Sequence, residues 1–96
     1  MLIDKGIQVG EVVTLKLEGG EEIISKLVDD TTTHYKISKP LVLSMTQKGI
    51  GMMPFLFTVN PDKDIKISKN SVVVIEITDK EFADQYLHST TGIAIR

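Results

Sequence analysis

Few residues of this chain carry groups that could do covalent or metal chemistry, and most of those stand alone. There is no cysteine, so there is no thiolate nucleophile, thiolate metal ligand or disulfide framework. Neither His34 nor His88 lies at metal-ligand spacing from another histidine. Asp29, Asp30 and His34 form one carboxylate–imidazole run that could hold a metal in principle, but short polar runs of this kind are normally loops. Gly49-x-Gly51 lacks the lysine and the helix start of a phosphate-binding loop. Asp79, Glu81 and Asp84 are better explained by helix capping and solvation. The expectation is a protein that is not an enzyme and holds no cofactor or metal.

Two stretches suggest binding instead. In "KISKNSVVVIEI", Lys66 to Ile77, the polar group Ser68-Lys69-Asn70-Ser71 interrupts an apolar run that resumes at once. It is either an ordinary tight turn or a working loop. In "KGIGMMPF", Ile50, Met52, Met53 and Phe55 sit in or beside a segment that would normally be polar. Methionines on a loop adapt to apolar partners; the alternative is that the loop folds against its own domain or a neighbouring subunit.

The elements that must position these residues are short. Val13, Leu15 and Leu17 alternate with Thr14, Lys16 and Glu18, the period of a half-buried strand over 11–18. Gly19-Gly20 closes a tight hairpin. Residues 21–30 follow as a strand with Ile23 and Leu27 on one face, Ile24 and Val28 on the other, and the small Ser25 between, a pattern suited to strong bending. Residues 31–34 are a polar connection, and 35–45 resume as strand, with Pro40 at a bulge or unpaired edge. Residues 46–54 read as a loop, 55–59 as a strand, 60–64 as a turn, and 65–67 and 72–77 as strands. One helix follows, with Thr78 and Glu81 as a capping box, an apolar stripe of Phe82, Tyr86 and Leu87, and Gly92 beyond its end.

With 96 residues, the chain makes one domain: an extension over 1–10, a barrel over 11–77 and a helix over 78–89. The pattern predicts a mainly β fold, a small, strongly bent five-stranded antiparallel barrel of the SH3-like or OB-like kind, with a C-terminal helix. The N-terminus lacks the apolar core of a signal peptide, and no segment is long and apolar enough to span a bilayer. A cytoplasmic location is expected. The formal charge of −2 argues against gripping nucleic acid over a broad basic surface. Lysines at 36, 39, 48, 63, 66 and 69 give the middle of the chain a mild basic bias, and acids gather at 18–30 and 76–84; each reads first as a solvated face.

Taken together, Leu17, Gly20, Ile23 and Leu27 fit L-x-x-G-x-x-h-x-x-x-L, which resembles the first motif of the Sm-like family, bacterial Hfq proteins included. Ile67, Asn70, Val72 and Ile75 resemble its second motif, I-x-x-N-x-V-x-x-I. The resemblance covers about residues 10–77, and the tail of the chain looks most like compact Sm-like proteins of cyanobacterial phages, which would place the protein in an infected host cell. It implies an Sm-like barrel that joins copies of itself, edge to edge and head-to-tail, into a ring of five to seven subunits, with five favoured. It also implies single-stranded, U-rich RNA held at the pore by two loops, with a role in RNA processing or regulation. Mapped here, those loops are 30–35 and 68–70. The position usually held by Asn falls on His34 counted from Asp30, and on Tyr35 counted from Gly20; the usual Arg-Gly is Ser68-Lys69. His34 and Tyr35 both offer a flat face and a hydrogen-bonding group, Lys69 a cation, and Ser68 and Asn70 shape the turn. The alternative function is a ring-shaped adaptor that binds protein through Ile50, Met52, Met53 and Phe55 without RNA.

Overall fold

The computed structural model describes residues 6–91. The alternating stretch forms β1 (Val12–Leu17), and the run that is apolar on both faces forms β2 (Glu22–Asp30). They pair antiparallel with Leu15 opposite Ile23. The hairpin between them turns on Gly20, whose φ of +102° is open to glycine at little cost. A long β3 (His34–Thr46) follows, then β4 (Gly49–Pro54), β5 (Asp64–Ser68), a single 3-10 turn over Lys69–Ser71, β6 (Val72–Ile77) and helix α1 (Lys80–Thr90). All strand pairings are antiparallel, so the fold is mainly β with one C-terminal helix.

The strands form one bent sheet in the order β4-β3-β2-β1-β6, with β5 also on β3. One edge of β3 pairs with β2; its other edge is divided, residues 34–38 taking β5 and residues 41–46 taking β4. The division falls at a bend. Lys39 has φ +50°, and Pro40, which has no N–H for a ladder, comes next. The sheet is not closed, because no ladder joins β5 to β6. Val13, Leu15, Ile23, Leu27 and Ile37 are fully buried on its concave side, with Leu17 beside them and Tyr35, Ile65, Ile67, Val72 and Ile75 packed around. Each such aliphatic side chain is worth about 1.5–3 kcal/mol in transfer from water.

On the convex side, α1 lies across β2 and its Tyr86 is buried. Ile24, on the opposite face of β2 from Ile23, lines a recess of about 140 Å³ with Phe82, Leu43 and Ile50. The two-faced pattern of β2 thus serves a core on one side and a helix on the other. The small side chain of Ser25 is fully buried at a register shift and donates to the Ser38 carbonyl at 2.6 Å.

Several expectations are corrected. Residues 46–54 are not a loop: β3 and β4 make a hairpin arm, so the sheet has six strands rather than five. Residues 55–59 are not a strand. The Phe55 amide bonds the Pro40 carbonyl, and beyond it the far edge of β3 is already taken by β5, so 55–63 crosses from β4 to β5 without a partner along β3. Thr78 does not cap the helix. Its hydroxyl pairs with that of Thr14 at 2.8 Å, and Asp79 takes the N-cap position without a side-chain cap. Leu87 is 41% exposed and lies outside the buried stripe. Gly92 and the first half of the 1–10 extension lie outside the described residues.

Candidate nucleic-acid interface

Strand register assembles the site from two distant turns. Asp30 of β2 pairs with Tyr35 of β3, and Tyr35 with Ile67 of β5. Residues opposite each other in a ladder share a face, so these three form one row at the rim of the concave side. Two residues beyond Ile67, Lys69 rises on the same face. Its Nζ sits 2.6 Å from Asp30 Oδ1 and 4.7 Å from the centroid of the Tyr35 ring. The hydrogen bond that the Lys69 ammonium donates to Asp30 holds it above its usual pKa range, so the cation is fully charged at neutral pH. Tyr35 is half-buried against the core, which fixes its ring as a platform.

The two turns are bound to each other. The Lys69 amide donates to the Thr33 carbonyl at 2.9 Å, and His34 pairs with Ser68. Within the second turn, the Ser68 hydroxyl accepts from the Asn70 amide at 3.1 Å, capping the 3-10 turn as Ser typically does. Ser68 and Asn70 therefore shape the backbone that presents Lys69. In the first turn, the Thr31 hydroxyl accepts from the His34 amide, and Thr31 N donates to the His34 carbonyl.

His34 belongs to a different surface. Strand alternation sends it to the opposite face from Tyr35. There it lines an open depression of about 350 Å³ with Thr31, Thr33, Lys36, Lys66 and Asp29. Of the five residues expected at one RNA site, Tyr35 and Lys69 meet, Ser68 and Asn70 support, and His34 faces away. Sequence reasoning missed Asp30 as the anchor of Lys69. The signal was available in part, since Asp30 ends β2 and Tyr35 lies at the start of β3 across a short turn, which sets the two opposite each other.

The run Asp29, Asp30 and His34 does not converge. Asp29 Oδ1 accepts from the Asp30 amide, Asp30 holds Lys69, and His34 Nδ1 bonds the Thr33 hydroxyl at 2.7 Å. Among the described residues, no three His, Cys, Asp or Glu side chains gather where a metal could sit. No helix in the described part is long and apolar enough to cross a membrane.

The residues expected to bind a protein partner are also divided. In the arm, Leu43 faces Met52 and Met45 faces Ile50, giving one apolar face; Met53 faces Val42 on the other. Phe55 packs against the protein's own core. Compared with known proteins, the chain matches no family model and no curated protein.

Proposed function

We propose that this chain is an Sm-like subunit that assembles into a homo-oligomeric ring and binds single-stranded RNA at the Asp30–Tyr35–Lys69 cluster. The observation that carries the reading is the convergence of the two motif turns. Residues 30–35 and 68–70 are far apart in sequence, yet they are zipped together and place a cation over an aromatic ring. That pair offers a stacking face for a base and a charge for the adjoining phosphate. In this reading β1, β2, β3, β5 and β6 are the barrel, and β4 with the end of β3 is an insertion.

Ring assembly has separate support. The outer edges of β5 and β6 have no partner among the described residues. On β6, Val73 and Val74 are 63% and 51% exposed, and Glu76 is the one charged residue. An unpaired, apolar edge of this kind invites pairing with another chain. Joining the β5 edge of one copy to the β6 edge of the next is a head-to-tail contact, which closes into a ring when the rotation allows. Five subunits suit so compact a chain. The ring repeats the Lys69–Asp30 ion pair around one axis, so phosphate meets each Lys69 in competition with its own carboxylate.

Titration with labelled oligo-U tests the site. Tyr35→Ala is expected to cost about 1–3 kcal/mol of binding, the usual value of one stacked base. Lys69→Ala is expected to weaken binding several-fold and to lower its salt dependence. Unchanged affinity in both variants removes the cluster from the site. The adaptor reading is favoured by one observation, the apolar face of the hairpin arm, where Met45 is 80% exposed. It gains if oligonucleotides do not bind and replacement of Ile50 and Met52 by serine abolishes binding to a protein partner.

A further inference from the structure

Lys36 of β3 and Lys66 of β5 are direct cross-strand partners. Like charges placed opposite each other repel and weaken a ladder. Neither ammonium has a carboxylate within ion-pair distance among the described residues; the ion pairs there are Lys39–Asp62, Lys69–Asp30 and Lys80–Asp84. Lys36 is half-buried, whereas Lys66 is exposed. His34 precedes Lys36 by two residues and lines the same depression, with Ser68 opposite it. Its Nδ1 is taken by the Thr33 hydroxyl, which leaves Nε2 for a ligand.

One acid lies close by. Asp29 pairs with Lys36 on the β2 side and lines the depression, but one of its oxygens is committed to the Asp30 amide. Asp64 stands two residues before Lys66, beyond the depression. Against this single carboxylate stand two lysines, so the depression carries a net positive charge, with ammonium groups on adjacent strands and an imidazole at one end.

We infer that the convex face of the β3–β5 pair, built from His34, Lys36 and Lys66, is an anion site that takes successive phosphate groups of a single-stranded nucleic acid. It is separate from the Tyr35–Lys69 cluster, on the other face of the same two strands and around the rim formed by the turns at 31–33 and 69–71. It rests on the proposed RNA-binding reading only for the identity of its ligand; the anion chemistry stands apart from it. A phosphate between the two lysines removes the repulsion that the bare ladder carries, so binding and stability are linked.

The experiment compares the full chain with Lys36→Gln/Lys66→Gln and with Tyr35→Ala. Sodium tripolyphosphate, which has phosphates and no bases, is expected to raise the melting temperature of the unmodified protein and of Tyr35→Ala, and to leave that of the double variant unchanged. Without anion, the double variant should melt no lower than the parent. With oligo-U, the double variant should bind more weakly, with the slope of log affinity against log salt reduced by about 1.4, roughly 0.7 per lost phosphate contact. Tyr35→Ala should lose affinity and keep its slope. An equal shift by tripolyphosphate in parent and double variant, or none in the parent, overturns the site. A shift in the parent and in Tyr35→Ala but not in the double variant, together with an unchanged oligo-U slope, overturns the nucleic acid as its occupant and leaves a free polyphosphate. If oligo-U binds none of the proteins, the RNA reading falls, while the tripolyphosphate arm still decides the anion site.

Discussion

The Tyr86 hydroxyl reaches two carbonyls at the bend of β3, Ser38 O at 2.8 Å and Lys39 O at 3.1 Å. These carbonyls lie where the ladder partner of β3 changes from β5 to β4, so one side chain closes a gap in main-chain pairing. Tyr86→Phe keeps the packing and removes the bonds, and should cost about 1–2 kcal/mol in denaturant unfolding. Burial pushes the Tyr86 phenol above its ordinary pKa of 10.0. The folded state then holds this proton more tightly than the unfolded chain does. Its contribution to stability is whole below pH about 10 and declines as pH rises toward the raised value. The difference in stability between the parent and Tyr86→Phe should therefore shrink in strongly alkaline buffer. A constant difference would mean that the phenol does not titrate differently on folding.

At the scale of elements, the β1–β2 hairpin was legible from residue order. Alternation set the faces, and Gly19-Gly20 set the turn. Gly20 has a φ of +102° and no atom within 4 Å of where a Cβ would lie, so a side chain there costs backbone strain and no clash. Gly20→Ala should destabilise the protein by about 1 kcal/mol, read as an earlier midpoint in urea with an unchanged slope. The arm was not legible. Its glycines, methionines and proline resemble loop composition, and its apolar face is largely uncovered in the single chain. With little burial to reward either period, local pattern could not separate a two-stranded arm from an irregular connection. Residues 55–59 failed in the opposite sense: they have strand composition, but β3 had no edge left for them.

For the whole molecule, the question is what satisfies the free edges. The described part extends 47 × 27 × 26 Å, a body with a protruding arm, and the outer backbone groups of β5 and β6 lack strand partners among the described residues. Native mass measurement is expected to give a closed multiple of the subunit, five being favoured. Val73→Lys/Val74→Lys on β6 should shift that mass to the monomer while the circular-dichroism spectrum stays that of the parent, since both side chains point to solvent in the single chain. A parent that remains monomeric at high concentration would remove the ring and the shared central site with it.

The order of residues by itself determined the strands β1, β2, β3, β5 and β6, where the first hairpin turns, that a helix follows the sheet, and that the turn after Ile67 is polar. These follow from periodicity and turn chemistry, which act between neighbours in the chain. Tertiary structure alone decided that Lys69 stands between Asp30 and Tyr35, that His34 leaves that site for the convex face, and that Lys36 meets Lys66. The reason is register: which residues lie opposite each other depends on bulges such as those in β2, and on the bend at Lys39-Pro40. A shift of one residue sends every side chain to the other face.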